Sequence, residues 1–128
     1  MICLDTQAWI WWVTGFRELP VAVRRVIETD QLVVSDVSFW ETAQLVAEGR
    51  IRLNREVVEF LSEASTWEGL TVASITPAIA VRASRLGPLF PKDPMDRLIT
   101  ATALELRATL VTSDGRIRSS GVVPVLWD

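Results

Sequence analysis

Four acidic residues in this 128-residue chain occupy positions from which carboxylates commonly do chemistry. Asp5 and Asp114 follow short predicted strands, while Glu41 and Asp96 lie in the first turns of predicted helices. Each position alone also fits an ordinary structural role, because aspartate is a common helix cap or turn residue and glutamate is common in a first helical turn. The four together, in one small chain, favour a shared acidic site.

The rest of the composition narrows the chemistry of such a site. The chain contains no histidine and only one cysteine, Cys3, which excludes serine–histidine and cysteine–histidine catalysis and ordinary zinc sites. Grouped carboxylates repel one another unless a hard cation neutralises them, and Mg²⁺ or Mn²⁺ prefers oxygen ligands. Such an ion activates a bound water for attack on a phosphate ester. The composition therefore predicts a magnesium or manganese site suited to phosphodiester hydrolysis.

Short apolar strands alternate with helices along the chain. The predicted strands are Ile2–Leu4, Leu32–Val34, Leu70–Ile75, Thr109–Thr112 and Val123–Leu126. The predicted helices are Thr6–Val13, Val21–Thr29, one that begins after Ser35 or Ser38 and ends near Glu48, Glu56–Trp67, one that opens at Thr76-Pro77, and one from Asp93-Pro94 to about Arg107.

This alternation predicts an α/β fold, a single domain over residues 1–128 with a mostly parallel central sheet of about four to five strands. Ligands of such sheets bind at the carboxyl ends of the strands, near a switch in strand order. Asp5 and Asp114 are placed at those ends. Ser38 and Glu41 also match the spacing of a capping box, which is the structural alternative for that glutamate.

Five segments, in their order and spacing, carry a family resemblance that covers nearly the whole chain. They are Leu4–Thr6, Val34–Glu41, Asp93–Ala101, Leu110–Asp114 and Val123–Trp127. With these segments the chain resembles the PIN-domain nucleases, and within that family the VapC toxins of bacterial toxin–antitoxin pairs.

The resemblance implies a PIN-like three-layer α/β/α domain and an endoribonuclease, usually dimeric, that a cognate antitoxin inhibits by covering the active site. Its acidic tetrad, which holds Mg²⁺ or Mn²⁺, corresponds to Asp5, Glu41, Asp96 and Asp114. Asp93 is then an additional acid of the site or a helix cap alone. Thr6 and Thr112 are expected to orient these carboxylates without binding the metal themselves.

Two departures from the family pattern concern the positioning of the substrate and the number of metal ions. Gln7 stands where many relatives have histidine, and the segment after Asp114 lacks the further acid that some relatives carry.

Twelve of the thirteen basic residues are arginine, a side chain suited to phosphates and bases. Among them Arg97 and Arg116, next to proposed site acids, are the candidates for contact with RNA.

Composition also bears on location and partners. We expect no secretory signal, because no basic segment precedes an apolar stretch in the first residues, and the longest charge-free stretch, residues 69–81, is shorter than the roughly 18 apolar residues that a membrane span needs. A lone cysteine favours a reducing compartment, so we expect a cytoplasmic protein. The 49% share of hydrophobic residues indicates a subunit or partner interface, in keeping with a homodimer.

Three other functions compete with an RNA-cleaving enzyme. A phosphoacceptor receiver domain needs an acidic pair near the first strand and a lysine after the last, and this chain has neither. An inactive binding module with the same fold is disfavoured because all four acids are present. A metal-dependent nuclease or phosphatase acting on a substrate other than RNA stays open, because the same metal chemistry serves any phosphate ester.

Overall fold

Five strands and seven helices alternate along the part of the chain that the structure, a computed structural model, describes: residues 1–15 and 18–128. The strands are β1 (Ile2–Leu4), β2 (Leu32–Ser35), β3 (Leu70–Ala73), β4 (Thr109–Val111) and β5 (Val125–Leu126). The helices are α1 (Thr6–Thr14), α2 (Val21–Thr29), α3 (Val37–Ala47), α4 (Val57–Ala64), α5 (Pro77–Ser84), α6 (Pro94–Glu105) and α7 (Gly115–Ser120).

All five strands form one parallel sheet in the order β3-β2-β1-β4-β5. The chain adds β2 and β3 on one side of β1 and then crosses to add β4 and β5 on the other. Strand order therefore reverses between β1 and β4, which is where such sheets bind ligands. Leu4 is level with Val34 and Val111, so the residues after them leave the sheet at the same edge.

Helices cover both faces of the sheet because side chains along each strand alternate between the two. Leu4 packs with residues of α1, α2 and α4, including the fully buried Trp9. Cys3 faces the other way and packs with Ile99 of α6 and Ile117 of α7. Helix α5 packs against the outside of α6. This arrangement confirms the predicted three-layer α/β/α fold and its parallel sheet.

The start of α3 agrees with one of the two predicted caps. Asp36 precedes the helix and makes no capping bond with its side chain. The Ser35 hydroxyl instead accepts a hydrogen bond of 3.3 Å from the Val37 N–H, so Ser35 supplies the side-chain cap and Ser38 does not. Strand β2 extends through Ser35 by pairing with Ala73, so that the helix begins only at Val37. Ser38 consequently lies inside the helix, and the capping box that was the structural alternative for Glu41 is not formed.

Helix α7 was not predicted from the sequence. It is six residues long, starts at a glycine and ends in two serines, and only Ile117 is buried. Those residue types have low helix propensity, so the helix depends on its caps and on its contact with the core. Among the described residues, no helix combines the length and apolar character needed to cross a membrane.

Candidate active site

A cleft of about 330 Å³ opens at the carboxyl edge of the sheet. The structure brings all four predicted acids and Asp93 to its wall. The polar residues that line it are Asp5, Thr6, Gln7, Glu41, Arg50, Asp93, Asp96, Thr112, Ser113 and Asp114. Residues that are far apart in the sequence meet here because β1, β2 and β4 end side by side.

Asp5 lies at the centre of this edge, between β1 and α1. Its Oδ1 accepts a hydrogen bond of 2.8 Å from the backbone N–H of Ala8, which makes it the N-cap of α1. Burial raises the pKa of the Asp5 carboxyl to about 6, and the charges of Glu41 and Asp114 add to this effect. Hydrogen bonds from Thr112 and from the Ala8 backbone oppose the rise. Asp5 is thus a cap and a cleft acid at once.

Glu41 reaches the cleft from the first turns of α3. The hydroxyl of Thr6 donates a hydrogen bond to its Oε1, and the same Thr6 oxygen lies 2.8 Å from the hydroxyl oxygen of Ser38. Burial raises the pKa of the Glu41 carboxyl, and the charge of Asp93 raises it further. The Thr6 hydrogen bond and the charge of Arg50 act in the opposite direction.

Asp93 and Asp96 enter from the start of α6. Asp93 is the N-cap, whose Oδ1 accepts from the backbone N–H groups of Met95 at 2.8 Å and Asp96 at 3.3 Å. Burial raises the pKa of the Asp96 carboxyl to about 7, and the charges of Asp93, Glu41, Asp114 and Asp5 all act in the same direction. Asp96 is therefore the acid that would gain most from a neutralising cation.

Asp114 differs from the other acids because it already has a cationic partner. It caps α7 through backbone N–H groups of Arg116 (2.8 Å) and Ile117 (3.4 Å), and Arg116 Nη2 lies 3.2 Å from its Oδ2. Partial burial alone would raise the pKa of this carboxyl. The hydrogen bonds and charge of Arg116 and the backbone donors outweigh burial and lower it.

The two arginines predicted to contact RNA lie in different surroundings. Arg116 is exposed beside Asp114. The guanidinium of Arg97 instead donates to the backbone carbonyls of Ala83, Gly87, Phe90 and Pro91 and stacks over the Phe90 ring. Arg97 does not line the cleft. These contacts argue against a role for Arg97 in substrate binding and indicate that it holds the loop before α6.

Arg50 lines the cleft but was not singled out from the sequence. Gly49 takes a left-handed conformation (φ 71°), which only glycine adopts without strain, and ends α3. The Arg50 N–H then bonds back to the Leu45 carbonyl at 2.9 Å, so the chain turns along the cleft. The helix stop at Gly49 was visible in the sequence, but the direction of the turn was not.

The donor set of the cleft fits a hard divalent cation, because the acids offer only oxygen ligands and two of them have raised pKa values. Across residues 1–15 and 18–128, however, no three acidic or cysteine side chains are already arranged as a formed metal site. Several of these oxygens instead accept from N–H groups, from Thr6 or from Arg116.

Comparisons with known proteins agree on one family. The PIN domain family model matches residues 2–121. Ribonuclease VapC22 of Mycobacterium tuberculosis is 39% identical over 119 residues, which cover 92% of this chain and 90% of that protein. A toxin–antitoxin complex from Klebsiella pneumoniae superposes with a TM-score of 0.72 at 21% identity and covers 98% of this chain and 96% of its own. VapBC2 from Rickettsia felis, bound to a promoter DNA fragment, superposes with a TM-score of 0.69 at 14% identity over 100% of both chains. The chain therefore belongs to the PIN-domain family, and within it to the VapC-type proteins.

Proposed function

We propose that this protein is a Mg²⁺- or Mn²⁺-dependent endoribonuclease and the toxin of a toxin–antitoxin pair. The observation that carries the proposal is the convergence of five carboxylates on one cleft at the switch point of the sheet. Burial and mutual repulsion raise the pKa values of Asp5 and Asp96 to about 6 and 7. Such a cluster is unfavourable without a cation, which supports a role for the cluster in binding one.

Asp5, Glu41, Asp96 and Asp114 would hold the ion, with Asp93 as a further acid at the rim. A bound Mg²⁺ or Mn²⁺ supplies a water of lowered pKa and positive charge for the phosphoryl group. Thr6 would orient Glu41 through the hydrogen bond described above, and Thr112, which lines the cleft with Asp5, would orient that carboxylate. Restraint of this kind reduces the reorganisation needed when the ion and the substrate bind.

RNA is proposed as the substrate because the relative that matches most of the chain is a ribonuclease. Arg50 on the wall of the cleft and Arg116 beside it would contact phosphates on either side of the cleaved bond. The net charge of −3 does not oppose this, since five of the acidic side chains lie within one cleft, where a divalent cation would offset part of their charge.

The proposal is tested by incubating the purified protein with total cellular RNA and Mn²⁺, with and without EDTA, beside Asp5→Asn and Asp96→Asn. We expect discrete cleavage that EDTA and both substitutions abolish. Asp36→Asn, an aspartate outside the cleft, is the matched control and should cleave as the native protein does. Cleavage that survives in the cleft variants would refute the assigned residues, and cleavage of single-stranded DNA alone would refute RNA as the substrate.

An antitoxin and a second copy of this chain are the proposed protein partners, in the cytoplasm. The solved structures of similar fold include toxin–antitoxin complexes. Large apolar side chains such as Trp40 and Leu89 are exposed, Leu89 by 95%, which leaves apolar surface for partner chains. Sedimentation equilibrium of the isolated protein should give twice the chain mass. A monomer at micromolar concentration would contradict the dimer.

A further inference from the structure

We propose that Ser38 is a positioning residue that orients the Glu41 carboxylate through the hydroxyl of Thr6. The inference rests on the proposed function, because it concerns an acid assigned to the metal site. It assigns Ser38 a task that the sequence pattern attributed to helix capping. The three side chains form a line that runs from the buried interior to the wall of the cleft.

The direction of the hydrogen bonds follows from counting hydrogens. An ionised carboxylate only accepts, so the Thr6 hydroxyl must donate its single hydrogen to Glu41 Oε1. The Thr6 oxygen lies 2.8 Å from the Ser38 oxygen, and with its hydrogen already used it can only accept there. Ser38 is therefore the donor, and the relay runs Ser38 to Thr6 to Glu41.

Burial makes this relay specific. Ser38 is fully buried and Thr6 is 4% exposed, so water does not compete for either hydroxyl. Thr6 is β-branched and at the first position of α1, where its side chain has few rotamers. Its oxygen also contacts the Ser38 hydroxyl oxygen. The Thr6 donor is thus held at the start of α1, at the wall of the cleft.

Glu41 needs such a restraint more than the aspartates do. Its carboxylate is separated from the backbone by one more rotatable bond, and the aspartates at positions 5, 93 and 114 are already fixed by capping bonds to backbone N–H groups. Glu41 lies within α3 and caps no helix, and its carboxylate accepts from the Thr6 hydroxyl instead. The hydroxyl relay takes the place of a cap.

The test compares Ser38→Ala with Thr42→Val in calorimetric titrations with Mn²⁺. Thr42 is a matched control because it lies one turn further along α3, is equally buried and has a hydroxyl with no hydrogen-bond partner among the described residues. We expect Ser38→Ala to bind Mn²⁺ about tenfold more weakly. Thr42→Val should bind Mn²⁺ as the native protein does.

A double-mutant cycle separates the relay from a general loss of packing. If Ser38 acts through Thr6, Ser38→Ala should weaken Mn²⁺ binding in the native background but not in the Thr6→Val background. The cycle contains the native protein, Ser38→Ala, Thr6→Val and the double variant. In EDTA, the changes in melting temperature of the two single variants should not add up to that of the double variant, which tests the contact between the two hydroxyls without any ion.

The outcomes distinguish the relay from the function on which it rests. Native protein that binds no Mn²⁺ overturns the proposed function and the relay with it. Native protein that binds Mn²⁺, together with Ser38→Ala that binds it equally tightly, overturns the relay alone. Equal losses from Ser38→Ala in both Thr6 backgrounds also overturn it, because they would show that Ser38 acts by another route.

Discussion

At the scale of single residues, the ionised Asp96 carboxylate of the candidate site lowers the stability of the folded protein. Its carboxyl ionises near pH 3.8 in an unfolded chain and near pH 7 in the folded one. Between these values the folded state keeps a proton that the unfolded state has lost. The stability associated with this group is therefore complete below about pH 4 and is lost as the pH rises through 7.

Replacement of Asp96 by asparagine should remove this loss. At pH 8 in EDTA we expect Asp96→Asn to be more stable than the native protein by about 2 kcal/mol, a value reduced from the full effect of the pKa shift because solvent screens a half-buried carboxylate. Near pH 4 the two proteins should be equal. Urea unfolding at both pH values measures the difference, with Asp36→Asn as the control. A variant less stable than the native protein at pH 8 would contradict this account of Asp96.

Arg97 contacts the backbone of the loop before α6, although its neighbour in the sequence, Asp96, belongs to the candidate site. Its guanidinium donates to four backbone carbonyls between positions 83 and 91. A lysine carries one compact ammonium group and cannot reach them all. We expect Arg97→Lys to lower the free energy of unfolding by about 2–4 kcal/mol, because partly buried carbonyls lose their donors. Chemical denaturation measures this, beside Arg85→Lys at an exposed position of the same loop. A loss of RNA affinity with unchanged stability would instead restore Arg97 as a substrate contact.

At the scale of elements, three helix N-termini converge on the cleft, and their caps are site acids. Asp5 caps α1, Asp93 caps α6 and Asp114 caps α7. The partial positive charge of each N-terminus favours the carboxylate that caps it. The same aspartate can therefore be both a helix cap and a site residue in this fold. One of its oxygens accepts from the backbone N–H groups of the helix, and its side chain also lines the cleft.

The two roles of Asp114 should separate on substitution. Asparagine caps a helix about as well as aspartate, whereas alanine does not. We expect Asp114→Asn and Asp114→Ala both to lose RNA cleavage, while only Asp114→Ala loses about 1 kcal/mol of stability. Thermal unfolding and the cleavage assay on the same preparations test this. Full cleavage by Asp114→Asn would show that the charge at this position is dispensable.

The elements also show what the sequence could predict. Strands of three or four consecutive apolar residues are recognisable because both faces of the sheet are covered, and the N-caps Thr76 and Asp93 are local signals. The sequence could not choose between Ser35 and Ser38 as the cap of α3, because pairing of Ser35 with Ala73, distant in the sequence, decides where β2 ends. Helix α7, Arg50 in the cleft and the contact of Ser38 with Thr6 were missed. The position of Arg50 and the Ser38 contact depend on tertiary packing, and the caps of α7, Asp114 and Gly121, are too weak a local signal without the contact of Ile117 with the core.

At the scale of the whole molecule, the acidic cleft links ion binding to folding. A ligand that binds only the folded state stabilises it by about 2.7 kcal/mol at a hundred times its dissociation constant. We expect Mn²⁺ to raise the melting temperature at pH 8, and to raise it less at pH 5, because Asp5 and Asp96 must then lose protons to bind the ion. Differential scanning calorimetry tests this, and Asp5→Asn should abolish the effect. An equal rise at both pH values would contradict coordination by these acids.

The central claim is that the five acids at the carboxyl edge of the sheet form one site for a divalent cation. The most direct test is anomalous diffraction from crystals of the native protein grown with Mn²⁺ at pH 8. The account predicts a manganese peak in the cleft, with carboxylate oxygens of Asp5 and at least one of Glu41, Asp96 and Asp114 at about 2 Å from it. Manganese bound only elsewhere, or none in the cleft at millimolar concentration, would contradict the claim.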